Sequence, residues 1–227
     1  MAAEVFYCIT MTESKILKKD LFGEIRLSGH AGQQVIIRDA RSAAAGLRWL
    51  ARILLRREAS ALTQLAGIDG VADVIRVEPD RLTRSYIAGD PMHQHRPADP
   101  GFFQAAVSLR RKMHRAGVVH NDLAKEPNIL VRSDGSPAFI DFQLAWHSPT
   151  RGKVFRLAAR EDLRHLLKHK RYYCPDRLTR REIDILNNPG APARIWRRTV
   201  KPVYLFVTRR ILRWADREGA GDRGERA

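Results

Sequence analysis

The chain has 227 residues, with 41 Lys+Arg against 25 Asp+Glu, a formal charge of +16. Its 44% hydrophobic and 29% charged residues exclude a disordered or fibrous chain and leave room for a real core. Two cysteines, Cys8 and Cys174, exclude a disulfide framework and a four-cysteine zinc cluster, so both read as free thiols of a reducing compartment. No run of about 20 apolar residues could span a bilayer. The N-terminus has no basic segment followed by an apolar run, which points to a cytoplasmic protein. The charge calls for an anionic partner: nucleic acid, an anionic membrane surface or a phosphorylated substrate.

In chain order, residues 15–18 and 24–27 read as two short strands joined through Lys19-Asp20-Leu21-Phe22-Gly23. A turn at residues 29–32 leads into the β-branched run Val35-Ile36-Ile37. Residues 43–66 carry Leu47, Leu50, Ile53, Leu54, Ala61, Leu62 and Leu65 at helical spacing. Residues 71–78 and 81–87 form a hairpin through Pro79-Asp80. The polar, Pro-rich stretch 89–101 reads as the linker between two lobes. Beyond it come a helix over 102–116 capped by Gly117, a short strand at 118–119, and a hairpin of 129–131 with 138–142. Helices over 161–169 and 180–187 follow.

One segment carries chemistry: Val118-Val119-His120-Asn121-Asp122-Leu123-Ala124-Lys125-Glu126-Pro127-Asn128-Ile129, followed by Ile140-Asp141-Phe142-Gln143. The pair resembles the catalytic and metal-binding loops of the protein-kinase superfamily. The resemblance implies Asp122 as the carboxylate that accepts the proton of an attacking hydroxyl. It implies Asn128 and Asp141 as oxygen ligands of Mg²⁺, and Lys125 as a charge on the transferring phosphoryl group. Three residues depart from the pattern. Asn121 replaces the usual Arg, one residue is inserted before Asn128, and Gln143 replaces the usual Gly.

The same resemblance makes the first part of the chain a nucleotide lobe. Gly23 stands in the hairpin expected to cover phosphates, though an ordinary tight turn explains one glycine equally well. Val35-Ile36-Ile37-Arg38 resembles the V-A-I-K strand, with Arg for Lys. Glu58, the only acidic residue between Arg41 and Ile68, is its expected partner. Tyr86 and Ile87 fall where a hinge lends backbone groups to adenine.

No Ala-Pro-Glu follows Gln143, and the chain runs directly to the helix bearing Asp162, which matches the aspartate that supports the catalytic loop. This shortened lobe resembles the RIO-type kinases and the bacterial lipopolysaccharide-core (Kdo/heptose) kinases. The expected fold is α+β and two-lobed, protein-kinase-like. Residues 1–88 are the β-rich nucleotide lobe, 89–190 a truncated helical lobe, and 191–227 a basic tail with about ten disordered residues at its end. Within the tail, residues 193–217 alternate Trp196, Val200, Val203, Val207, Ile211 and Trp214 with Arg197, Arg198, Lys201, Arg209, Arg210 and Arg213. This suits either an anionic membrane surface or packing on the helical lobe. The resemblance implies an ATP- and Mg²⁺-dependent kinase acting on a hydroxyl of a lipopolysaccharide-core sugar or a protein Ser/Thr, cytoplasmic and peripheral at the inner face of the membrane. The alternative is a pseudokinase serving as a nucleotide-binding scaffold. Nucleic acid has no supporting signature.

Overall fold

The computed structural model describes residues 14–188 apart from Ala31. Strands β1 (Lys15–Asp20), β2 (Gly23–His30), β3 (Gln33–Asp39), β4 (Val74–Glu78) and β5 (Arg81–Ser85) form one antiparallel sheet in the order β1-β2-β3-β5-β4. Between β3 and β4 runs helix α1 (Arg48–Gln64), entered through a single 3₁₀ turn, Ala45–Leu47. Its buried face, Ala51, Leu55, Glu58, Ala59 and Leu62, recurs at spacings of three and four. Leu55 on α1 and Leu82 on β5 are both fully buried, each side chain contributing about 1.5–3 kcal/mol.

The second lobe holds β6 (Asp90–Pro91), α2 (Met92–His95), α3 (Pro100–Arg115), β7 (Val118–Val119), β8 (Ile129–Val131), β9 (Pro137–Phe139), β10 (Trp146–His147), α4 (Lys153–Tyr173) and α5 (Arg180–Asn187). Helix α3 starts where Asp99 accepts from the Gly101 amide with Pro100 at the first position. Helix α5 starts on a capping box between Thr179 and Glu182. The core joins Phe103, Met113, Leu123, Ile129, Phe139, Phe142 and Leu166 to the α1 face.

Three sequence expectations need correction. The stretch 89–101 is not a plain linker. Asp90–Pro91 pairs with Val131 and Leu130, and Met92 is fully buried in α2, so the apolar side chain pulls a polar, Pro-rich segment into the core. The strand expected over 138–142 stops pairing at Phe139, because Asp141 turns to φ 64°. The helix expected over 161–169 extends over Lys153–Tyr173; of its first eight residues only Phe155 is buried, so they show no buried apolar stripe at helical spacing. The amphipathic pattern at 193–217, the end of the tail and Cys8 lie outside the described residues. Among the described residues Cys174 is buried and free, and no helix is long and apolar enough to cross a membrane.

Among the described residues the lobes are tied at several points, including the ion pair of Arg132 with Asp69 at 2.8 Å. The corner between α1 and β4 enters the helical lobe, where the Phe139 amide donates to the Gly70 carbonyl at 2.8 Å. Gly70 has φ +90°, and a Cβ there would lie 2.8 Å from Leu109 and 2.9 Å from the Pro137 carbonyl. Gly89 rests on β8, its missing Cβ 2.9 Å from the Val131 carbonyl. Arg57 on α1 donates to the Ala145 carbonyl at 3.4 Å.

Candidate active site

The loop between β7 and β8 is held by a carboxylate beneath it. Asp162 on α4, fully buried, accepts from the backbone amides of His120 at 2.9 Å and Asn121 at 3.0 Å. His114 Nε2 adds a third bond at 3.1 Å. Burial pushes the Asp162 carboxyl up, but the hydrogen bonds from His114 and from the His120 backbone amide pull it down, and the group titrates below its ordinary value. The His120 ring is locked as well. Its Nδ1 accepts from the Asp122 amide at 3.3 Å and its Nε2 donates to the Ile140 carbonyl at 3.0 Å. That pattern needs the neutral Nε2–H tautomer. The ring packs on Phe142, with centroids 4.5 Å apart, so one buried histidine ties the Asp122 loop to the Asp141 strand. Asn121 takes φ 63° and donates to the Leu144 carbonyl at 3.0 Å.

Asp122, Asn128 and Asp141 come together on this frame. Asn128 Nδ2 donates to the Asp122 carbonyl and to Asp122 Oδ2, both at 3.0 Å. Lys125 Nζ lies 3.2 Å from the same Oδ2. Burial pushes Asp122 up, against the pull of Lys125, toward the range where a carboxylate accepts a proton readily. Ile140 donates to the Asn128 carbonyl at 3.0 Å, holding the Asp141 segment beside Asn128. At Asp141 burial pushes the carboxyl up, but Arg38 and the Gln143 hydrogen bond outweigh it and the carboxylate stays ionised. Gln143 Nε2 reaches Asp141 Oδ1 at 2.7 Å.

This donor set fits a divalent cation. Among the described residues no hydrogen bond reaches Asn128 Oδ1 or Asp141 Oδ2, which leaves two hard oxygens. Nor does any group of three His, Cys, Asp or Glu there make a complete metal cage. Two protein ligands with the rest supplied by a phosphorylated ligand is the habit of Mg²⁺.

Across the cleft, Arg38 on β3 donates to Glu58 Oε2 at 2.8 Å, with its Nη1 3.9 Å from Asp141 Oδ1. Glu58 is 1% exposed.

A model of the RIO domain matches residues 5–176. The chain belongs to the RIO domain family. Its two-lobed, protein-kinase-like fold is shared with the Rio2 kinase from Chaetomium thermophilum, at a TM-score of 0.60 and 16% identity over 81% of this chain and 64% of that one. A second structure from that organism, the Rio2 kinase-ADP/Mg2+-phosphoaspartate complex, gives 0.59, 16%, 81% and 62%. The chain thus spans a little under two thirds of the length of these structures. No curated protein sequence matches it.

The other expected site residues of this RIO domain sit as follows. Gly23 closes a two-residue turn, paired with Asp20. A Cβ on it would meet the Asp39 carbonyl at 2.2 Å, so close packing of β2 on β3 accounts for the glycine. The Tyr86 amide donates to the Gln34 carbonyl at 3.2 Å. Tyr86 and Ile87, with Gly70, Asp73 and Arg132, line a cleft of about 470 Å³ beside the α1–β4 corner.

Sequence reasoning missed two features of the RIO domain. Glu126 is buried beneath the Asp122 loop and accepts from the Tyr173 hydroxyl at 2.8 Å. His169 Nε2 donates to the Leu123 carbonyl at 2.9 Å. The only trace in the sequence is a glutamate beside Pro127. Arg84 on β5 is the second, its Nε 3.2 Å from Glu58 Oε1. Strand alternation puts Arg84 on the face of the buried Leu82, but its pairing with Glu58 depends on α1 packing over that face.

Proposed function

We propose that this RIO domain is an ATP- and Mg²⁺-dependent phosphotransferase whose acceptor is a hydroxyl group. The observation that carries the reading is the convergence of Asp122, Asn128 and Asp141 on one locked loop pair, opposite the Arg38–Glu58 pair. The Rio2 complex with ADP and Mg²⁺ supports the choice of nucleotide and metal. Asp122 orients the acceptor and takes its proton, and Lys125 beside it offsets charge on the transferring group. Asn128 and Asp141 hold the cation, which, when bound, neutralises charge on the nucleotide phosphates. Arg38 binds those phosphates, and the backbone of Tyr86 and Ile87 receives the adenine.

The acceptor we favour is a lipid-linked sugar of the lipopolysaccharide core, with a protein Ser/Thr next. The basic, Trp-containing stretch 193–217 supports a site of action at the inner face of the cytoplasmic membrane. The test incubates the protein with labelled ATP, Mg²⁺ and each acceptor, beside Asp122→Ala. Transfer by the parent and not by the variant is expected. Equal transfer by both sinks the assignment of the base. Mg·ATP binding without transfer by the parent returns the scaffold reading.

A further inference from the structure

The arginine at position 38 raises a problem of its own. A guanidinium facing a buried carboxylate settles into two parallel N–H···O bonds. A lysine makes one contact through a rotatable ammonium and keeps its remaining donors for another ligand. An arginine forked on Glu58 would commit two of its nitrogens to the protein and turn its donor edge away from the cleft.

The fork does not form. Glu58 Oε2 accepts from Arg38 Nη1 at 2.8 Å, while Arg84 Nε forms an ion pair with Glu58 Oε1 at 3.2 Å. Strand register explains how. Arg84 sits opposite Ile36, and Arg38 opposite Leu82, so Arg38 and Arg84 are diagonal neighbours on one face of the sheet. Leu82 on that face is fully buried, as is Glu58 on α1. The side chains of Arg84 and Arg38 are 11% and 16% exposed. Two guanidinium groups thus share one glutamate; the Arg38 Nη1 that donates to Glu58 also lies 3.9 Å from Asp141 Oδ1, while Arg38 Nε and Nη2 make no hydrogen bond among the described residues.

We infer that Arg84 is a positioning residue: by pairing with Glu58 Oε1 it competes with Arg38 for that oxygen, disfavours a fork of Arg38 on Glu58, and keeps Arg38 Nε and Nη2 for the phosphates of a bound nucleotide. The inference rests on the nucleotide reading above. It concerns only how Arg38 is presented, since Arg84 itself stays on Glu58.

The test measures the dissociation constant of Mg·ADP by calorimetry on the full chain, so no acceptor is needed. Arg84→Met is expected to weaken Mg·ADP about ten-fold, the cost of one charge-assisted hydrogen bond diverted from the phosphates to the fork. Arg38→Lys combined with Arg84→Met is expected to bind more tightly than Arg84→Met alone, because lysine cannot fork. Arg84→Lys, which still covers Oε1, is expected to recover most of the affinity. A purely structural role for Arg84 predicts the opposite for the double variant, whose losses would add. Arg84→Met within about two-fold of the parent overturns the inference, as does a double variant weaker than Arg84→Met. If Arg84→Met does not fold, Arg84→Lys decides: a loss as large as about ten-fold overturns the inference. A parent that does not bind Mg·ADP overturns the nucleotide reading and this inference with it. A parent that binds beside an indifferent Arg84→Met overturns this inference alone.

Discussion

Replacing Asp162 by asparagine changes one buried oxygen into an amide and little else in shape. The carboxylate accepts three bonds, one on Oδ1 from the Asn121 amide and two on Oδ2 from the His120 amide and His114. Whichever way the new side chain turns, its NH₂ faces an N–H. The better orientation loses one charge-assisted bond, worth about 1.5–3 kcal/mol, and reduces two others to neutral strength at roughly 1 kcal/mol each. The expected cost is about 3–5 kcal/mol, the size found for breaking a buried ionic contact. In a chain of this length each kcal/mol moves the melting temperature about 2–4 °C, so Asp162→Asn should melt about 10 °C lower. Thermal and urea unfolding at neutral pH measure it, and a difference under about 1 kcal/mol would refute the account of how the loop is held. The pH dependence sharpens the test. The folded carboxyl titrates below its ordinary value, so its contribution is present above the ordinary carboxylate range and is lost as pH falls through the folded value. The gap between parent and variant should therefore close in acid.

Burial, aided by Lys168, pushes His165 from 6.5 down to about 4. The unfolded chain takes a proton near pH 6.5 that the native state refuses until about 4. Stability should thus fall across that window by about 3 kcal/mol more in the parent than in His165→Gln, and equal slopes in urea titrations would remove His165 as the source. Gly70→Ala must place a methyl 2.9 Å from the Pro137 carbonyl at φ +90° and should cost about 3 kcal/mol. Gly135→Ala, at φ +77° with open space around it, should cost about 1 kcal/mol, and equal urea midpoints for the two would contradict the packing of the α1–β4 corner.

Much of this site is legible in the order of the residues alone. Asp122, Asn128 and Asp141 announce themselves because they are close in sequence and flanked by strands. Glu58 stands out as the one acid in a long basic and apolar helix. What stays hidden depends on contacts between distant segments. Arg84 has no sequence neighbour that marks it, and only the diagonal register of β3 and β5 brings it to Glu58. Glu126 looks like a transposed loop residue until Tyr173, 47 positions on, donates to it. The hairpin around Gly23 is readable as a turn. Its two-residue length and its contact with the Asp39 carbonyl are not, because both are set by strand pairing. Among elements, α2 hides in a Pro-rich segment because a single apolar residue, Met92, decides its fate.

The ties between the lobes bear on how such a molecule could be switched. Helix α1 is gripped at its far corner through the Gly70 carbonyl and along its length through Arg57 and the Ala145 carbonyl. Glu58 lies on the same helix, one residue beyond Arg57, so the acid that pairs with Arg38 and Arg84 is fastened to the helical lobe rather than to the sheet alone. An on–off control that works by swinging this helix outward would have to break the helical lobe's own contacts. The arrangement of charges at the cleft floor is thus held by the same contacts that hold the two lobes together.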